Sequence, residues 1–417
     1  MSKPTHFRLG RADVAARAER MEVVLASLKA AALLPESVKK PPRINLINVA
    51  GILGMSKSKF QRSKKTHNFP DGERSGSWSW YAIEQVQEMA KAVSVPHPYA
   101  KGHGIVVTVA NFKGGVLKTS TTVTLAQYLS LRGYRCLVID MDPQASATML
   151  FGLSPYTEVT NEQSAYGMFG SEAESVSRAI RKTYWPGIDL IAANLQLYGV
   201  EFALAGDSNR SGGDVFTYFA DMMPELREAY DVILVDTQPS LSFITANSLF
   251  GSDHLLVTIP PSALDFASSA GFWKLLKDVM ASAENAAAAP KYWENISVLP
   301  TKVDHQDQLA QRIRQLLSHG CEGWLLSEAI PVTRVATNAA AGLQTVYDIE
   351  RYDGSHRSMK AARESYDKAY DQVLAGLKHT WDVWEHPENW TIETTPVNQL
   401  LNTKPARETE PIRDAAA

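Results

Sequence analysis

Apolar positions along the chain change their period twice. Between residues 11 and 34 they recur at Val14, Ala18, Met21, Val24, Leu25 and Leu28, one face of a helix, with Arg17, Arg20 and Glu22 elsewhere. Pro35 and the run Lys39, Lys40, Pro41, Pro42 stop that helix and predict a hinge. From 44 to 65 the pattern reads helix, turn, helix: Val49, Ile52 and Leu53 form an apolar face and Gly54 ends the first helix. Ser56 caps the second, which Phe60 anchors inward. A Ser/Trp-rich strand over 75–81 and a helix over 82–93 follow, the order of a wing. After a Pro/Gly/His-rich linker at 96–104, apolar runs at 105–109, 136–139, 188–192, 232–235, 255–259 and 296–299 alternate with helical or loop stretches. These predict buried strands of a mostly parallel sheet with helices on both faces and right-handed connections. The alanine-rich stretch 281–291 specifies no more than a helix end or loop. Four regions result: an N-terminal amphipathic helix (1–40), a winged helix-turn-helix domain (41–100), an α/β domain (101–385) and a polar tail (386–417) predicted to be mobile. The stripe on the first helix suits either dimerisation or packing on its neighbour.

Charge divides the chain at the same place. Residues 1–100 hold 16 Lys/Arg against 8 Asp/Glu, and the remainder 26 against 37. No acidic residue occurs from 37 to 70. A basic front on an acidic body points to a polyanion-binding module. Lys57, Lys59, Arg62, Lys64 and Lys65 lie on or beside the second helix, as on a recognition helix that enters a major groove and neutralises phosphates. Two cysteines, Cys136 and Cys321, are too few for a disulfide framework and lack the spacing of a zinc site, which fits a reducing cytoplasm. No run approaches the roughly 20 apolar residues of a membrane span.

The segment joining the first apolar strand of the α/β domain to its helix carries phosphate-binding chemistry. A triphosphate needs backbone N–H groups turned toward it, a cation for its outer phosphates and a hydroxyl beside Mg²⁺. Gly114 and Gly115 let the loop wrap closely, with Val116, Leu117 and Ser120 completing it; Lys118 is placed for the β- and γ-phosphates and Thr119 for the metal. Phe112 and Leu117 stand where the common P-loop pattern has glycine, and a second lysine, Lys113, begins the loop. Further along, Asp140 and Asp142 close the strand at 136–139, and Asp236 closes the one at 232–235.

The Lys-Gly-Gly-x-x-Lys-Thr form resembles the deviant P-loop of the family that includes ParA partition ATPases and MinD. The resemblance covers roughly 104–375, including Asp140-Met-Asp-Pro-Gln144 and Asp236-Thr-Gln-Pro239, where the family more often has Asp-x-Pro-Pro. It implies a P-loop NTPase fold, ATP/ADP and Mg²⁺ as cofactors, and a nucleotide-sandwich homodimer in which Lys113 reaches the partner's ATP. It also implies Asp142 as the group that positions the attacking water, Asp236 beside Mg²⁺, and Asp140 in the magnesium shell or the switch. Pro331, in Ile330-Pro-Val-Thr-Arg334, would lie near the base. Arg334, Arg357, Lys360 and Arg363 would contact DNA without sequence preference, the last three on a basic C-terminal helix. The added front matches the layout of the larger partition ATPases that repress their own operon. The implied partners are a ParB-like centromere-binding protein and both operator and non-specific DNA, at the nucleoid.

Rival classes are separated by residues. Membrane-cycling relatives carry a basic amphipathic C-terminal helix, which the stretch 403–413 does not form, so no membrane partner is expected. The iron–sulfur branch needs cluster cysteines that two scattered ones do not supply. A transcriptional regulator for which ATP is only a ligand is the remaining alternative, and Asp142 is the feature that distinguishes a hydrolysing enzyme from it.

Overall fold

Helix α1 (Arg11–Leu33) comes first in the computed structural model, which describes residues 11–33, 39–76, 78–93, 102–169, 176–211, 214–287 and 290–390. Val14, Met21 and Val24 on its apolar stripe are exposed, as is Val23 on the opposite side; the side chains of Leu25 and Leu28 lie outside the described residues.

A small unit follows: β1 (Ile44–Asn45), α2 (Leu46–Ile52), α3 (Lys57–Thr66), β2 (Glu73–Ser75), β3 (Trp78–Tyr81) and α4 (Ile83–Val93). Its strands pair antiparallel in the order β1-β3-β2. The turn residues act as their chemistry dictates. Gly54 takes φ +62° after α2, and Ser56 Oγ accepts the Lys59 amide at 3.2 Å to cap α3. Phe60, fully buried, meets Phe69 and Tyr81 at centroid distances of 5.7 and 6.1 Å.

The body runs β4 (Ile105–Ala110), α5 (Lys118–Leu131), β5 (Cys136–Asp140), α6 (Ser146–Leu150), β6 (Arg181–Lys182), β7 (Ile188–Ile191), α7 (Leu197–Ser211), α8 (Tyr218–Ala229), β8 (Val232–Asp236) and α9 (Phe243–Phe250). It continues with β9 (His254–Ile259), α10 (Ala263–Ala287), β10 (Asn295–Val303), α11 (Gln308–Gly320), β11 (Ile330–Pro331), α12 (Arg334–Ala341) and α13 (His356–Glu385). One sheet of order β11-β10-β9-β4-β8-β5-β7-β6 results, parallel throughout except for the edge strand β6. Strand side chains alternate between its faces. Ile105, Val107 and Val109 join α5 and α13 in one core, whereas Val106, Leu137 and Ile139 join α7, α8 and α9 in another. Leu255, Val257 and Ile259 pack with α10 and α11 in a third. Among the described residues no helix is long and apolar enough to cross a membrane.

The stretch from Lys39 is an anchor, because its ammonium finds a buried set of acceptors; residues 34–38 of the expected hinge lie outside the described residues. Lys39 Nζ donates to the carbonyls of Leu150 and Leu343 at 2.7 and 3.1 Å, and lies 2.8 Å from Asp348 Oδ2. Arg43 adds a bidentate contact to Glu350, and Gln87 on α4 donates to Ser130 Oγ at 2.7 Å. Ile44, Val49 and Tyr81 belong to the same apolar core as α5 and α13. At the start of the expected tail Trp390 Nε1 donates to Asp382 at 3.2 Å, while 391–417 lie outside the described residues, as does most of the expected linker.

His254 ties α13 to the sheet, with Nε2 2.8 Å from Thr380 Oγ1, and burial depresses its pKa to about 4. The unfolded chain, with an imidazole near 6.5, takes up a proton first, so this site destabilises the fold as pH falls from 6.5 toward 4. At pH 5 the difference is about 2 kcal/mol. Urea unfolding of His254→Gln at pH 7 and pH 5 should show a pH-dependent loss smaller than that of the wild type by about this amount.

Candidate phosphate-binding site

β4 ends at Ala110, and the next seven residues turn the chain into α5. Asn111 fixes the start: its Nδ2 donates to Thr258 O at 2.8 Å and its Oδ1 accepts the Lys113 amide at 3.0 Å. Gly115 takes φ +74°, and Leu117, at the N-terminus of α5, takes φ +69° and ψ +26°. A branched residue in the left-handed region costs roughly 1–2 kcal/mol relative to an ordinary conformation. Leu117 recovers part of this by packing against the core shared by α5 and α13. Thr301 Oγ1 donates to Val116 O at 3.0 Å and holds the loop from β10.

Lys118 is buried, and its Nζ donates to Lys113 O at 3.0 Å, across the loop. Burial lowers its pKa, against the opposing pull of Asp236 and Asp142. Asp140 and Asp236 are register partners at the ends of β5 and β8. Burial, with the charge of Asp140 behind it, pushes Asp236 well above the usual carboxylate range. Its Oδ1 accepts from Thr122 Oγ1 at 3.3 Å, while Oδ2 is enclosed and without a partner. A buried, unsatisfied carboxylate oxygen is costly, and beside the hydroxyls of Thr119 and Thr122 it matches the surroundings of a hydrated Mg²⁺. The enclosed ammonium and the loop amides match phosphate oxygens. The donor set therefore fits a nucleotide triphosphate with its metal.

Asp142 is buried, which raises its pKa, and its Oδ1 accepts the Gln144 amide at 2.9 Å. Asp140, expected in the magnesium shell or the switch, is engaged with the switch loop. Its Oδ2 accepts the amide and hydroxyl of Thr148 at 2.8 and 2.7 Å, and its Oδ1 the Asp142 amide at 3.2 Å. It shapes the loop that carries Asp142; burial moves its own pKa to about 7. Lys113 Nζ lies 2.5 Å from Asp265 Oδ1 at the start of α10. Pro331 is half-buried and pairs with Val303.

The basic residues divide. Lys57, Lys59, Arg62 and Lys65 on α3 are exposed, whereas Lys64 is half-buried and paired with Asp71. Arg334 and Arg357 are exposed; Lys360 lies 3.5 Å from Glu364. Arg363 turns inward, donating from Nη2 to Tyr347 O at 3.1 Å with Nε enclosed, so the outward DNA-contacting position expected for it is not what the fold provides. Sequence reasoning missed Thr122, whose signal is its position one turn after Thr119, and Thr148, whose contact to Asp140 depends on how the loop folds back.

Residues 104–288 match the family described as an AAA domain. The chain is 31% identical over 295 residues to the "Putative replication protein A" of Rhizobium rhizogenes, covering 69% of this chain and 72% of that one. It is 30% identical over 282 residues to the protein SopA of Escherichia coli K12, covering 66% and 72%. Among solved structures, one described as a partition protein aligns over 88% of this chain and 98% of its own, with a TM-score of 0.60 at 18% identity, a likeness of fold. On its sequence relatives and its P-loop fold, the chain belongs to the ParA-type family of partition ATPases.

Proposed function

We propose that this chain binds and hydrolyses ATP with Mg²⁺ to partition DNA, closing into a homodimer on ATP and gripping DNA without sequence preference. A ParB-like protein on the replicon is its partner, and the α2–α3 unit represses the chain's own operon. The observation that carries the reading is a buried Lys118 ammonium bonded to a backbone carbonyl of the loop, together with an enclosed Asp236 Oδ2 that has no partner among the described residues.

Within this reading Lys118 binds the outer phosphates, and Gly114, Gly115, Val116, Thr119 and Ser120 contribute loop amides, as does Leu117 with its branched side chain. Thr119 and Asp236 hold the metal side. Bound Mg²⁺ neutralises developing charge on the phosphates. Asp142 accepts a hydrogen bond from the water in line with the γ-phosphate. Lys113 exchanges Asp265 for the partner's nucleotide when the dimer closes, and Pro331 borders the base. Arg334, Arg357 and Lys360 supply cations for DNA in the closed state.

Asp142→Ala should abolish ATP turnover in the presence of DNA and partner while a fluorescent ATP analogue still binds with a Kd within about threefold of the wild type, roughly 0.6 kcal/mol. Lys118→Ala should lose the binding itself. A wild type that binds ATP but never turns it over would favour the ligand-gated regulator.

The two DNA activities should separate. Lys57→Ala combined with Arg62→Ala should impair operator binding in gel shifts yet leave ATP-dependent binding to random DNA nearly unchanged. The latter should weaken with salt at a log–log slope of about −0.9 per phosphate neutralised. Equal loss of both activities would contradict two separate DNA sites.

A further inference from the structure

Two loops flank the phosphate site: 141–145 after β5, which carries Asp142, and 237–242 after β8, which follows Asp236. One helix, α7, reaches both through side chains one turn apart and on the same face. Tyr198 Oη accepts from Gln144 Nε2 at 2.8 Å. Glu201 Oε1 accepts from Gln238 Nε2 and from the Ile244 amide, both at 3.1 Å, while its Oε2 accepts the Phe243 amide at 2.9 Å. Phe243 and Ile244 open α9, so the carboxylate covers two of the amides a helix start leaves unpaired, where the helix dipole favours negative charge. Ser242 Oγ accepts the next, from Thr245, at 3.2 Å, and also receives Gln238 Nε2.

Both ends of the 237–242 loop are thus pinned, the near end by β8 and the far end by Glu201. Within that loop Gln238 precedes Pro239, whose ring stiffens only its own position. An amide stiffens a loop only through the acceptors it finds, and here they are Ser242 within the loop and Glu201 on α7.

We propose that Glu201 is a positioning residue for hydrolysis: it holds the 237–242 loop, and through it the metal side at Asp236, in register with Asp142. Tyr198 gives α7 the same grip on the 141–145 loop, so that a shift in either loop reaches the other through one helix. The proposal rests on the ATPase reading above. Glu201 touches no reacting atom.

The test compares the full-length protein with Glu201→Ala, Glu201→Gln, Gln238→Ala and the double variant Glu201→Ala/Gln238→Ala. Without nucleotide, hydrogen exchange at the Phe243 and Ile244 amides should quicken by roughly tenfold in Glu201→Ala, the scale of one lost hydrogen bond. With Mg²⁺ and ATP, kcat should fall about tenfold or more while KM and the Kd of an ATP analogue stay within about twofold, the mark of a group that acts in the transition state. Glu201→Gln, which keeps an acceptor oxygen, should recover part of the rate. The double variant should lose less than the sum of the two singles, because each removes the shared Glu201–Gln238 contact. The proposal is overturned if kcat stays within twofold of wild type, if analogue binding falls in parallel with kcat, or if the two losses simply add. A wild type without turnover removes the ATPase reading and the positioning role of Glu201 with it. Unchanged exchange at 243 and 244 would overturn the clasp alone, whatever the turnover.

Discussion

An ammonium and three carboxylates are enclosed where β4, β5 and β8 end, and none of them forms a simple ion pair there. Lys118 bonds a backbone carbonyl, Asp140 bonds backbone amides and a hydroxyl, and Asp236 leaves an oxygen bare. Buried charges that lack full partners are expensive, and the fold tolerates them because large apolar cores lie on both faces of the sheet. The left-handed backbone at Leu117 adds strain in the same place. Such a site is poised for a ligand that supplies both missing charges at once.

Holding that arrangement requires the surrounding loops to be fixed by groups other than the reacting ones. Asp140 shapes the loop of Asp142, Asn111 and Thr301 fix the phosphate loop, and Glu201 holds the far side of the loop after Asp236. Each supporting contact comes from a different element, so the geometry depends on the whole sheet being assembled.

Much of this was legible in the chain itself. The six apolar runs became strands of the body because a buried parallel strand needs apolar side chains toward both faces. Ser56, Gly54 and Phe60 took their expected places because caps and anchors act locally. Strands β6 and β11, two residues each, have no period to detect. Which of its two expected roles Asp140 suits was not legible, because its partners, at Thr148 and Asp142, depend on how the loop folds back. Arg363 reads as one more cation on a helix, yet the way α13 packs beside Tyr347 turns it inward. Lys39 shows the same limit: a Lys-Lys-Pro-Pro run looks solvated until the acceptors gather from positions more than a hundred residues away.

That lysine has a consequence for how such a chain can be rearranged. Among the described residues its ammonium meets Asp348, two carbonyls of the body and the face of Tyr184, and Asp348 in turn accepts from Gln127, Tyr184 and the Thr345 amide. Exchanging the front for that of a relative, with the joint placed after residue 39 or a different residue at that position, would leave that carboxylate with its hydrogen-bond donors but without its cation, deep in the recipient. The front is thus no freely interchangeable cassette: a graft that keeps this contact has to carry its own lysine, or be joined to a body without the aspartate.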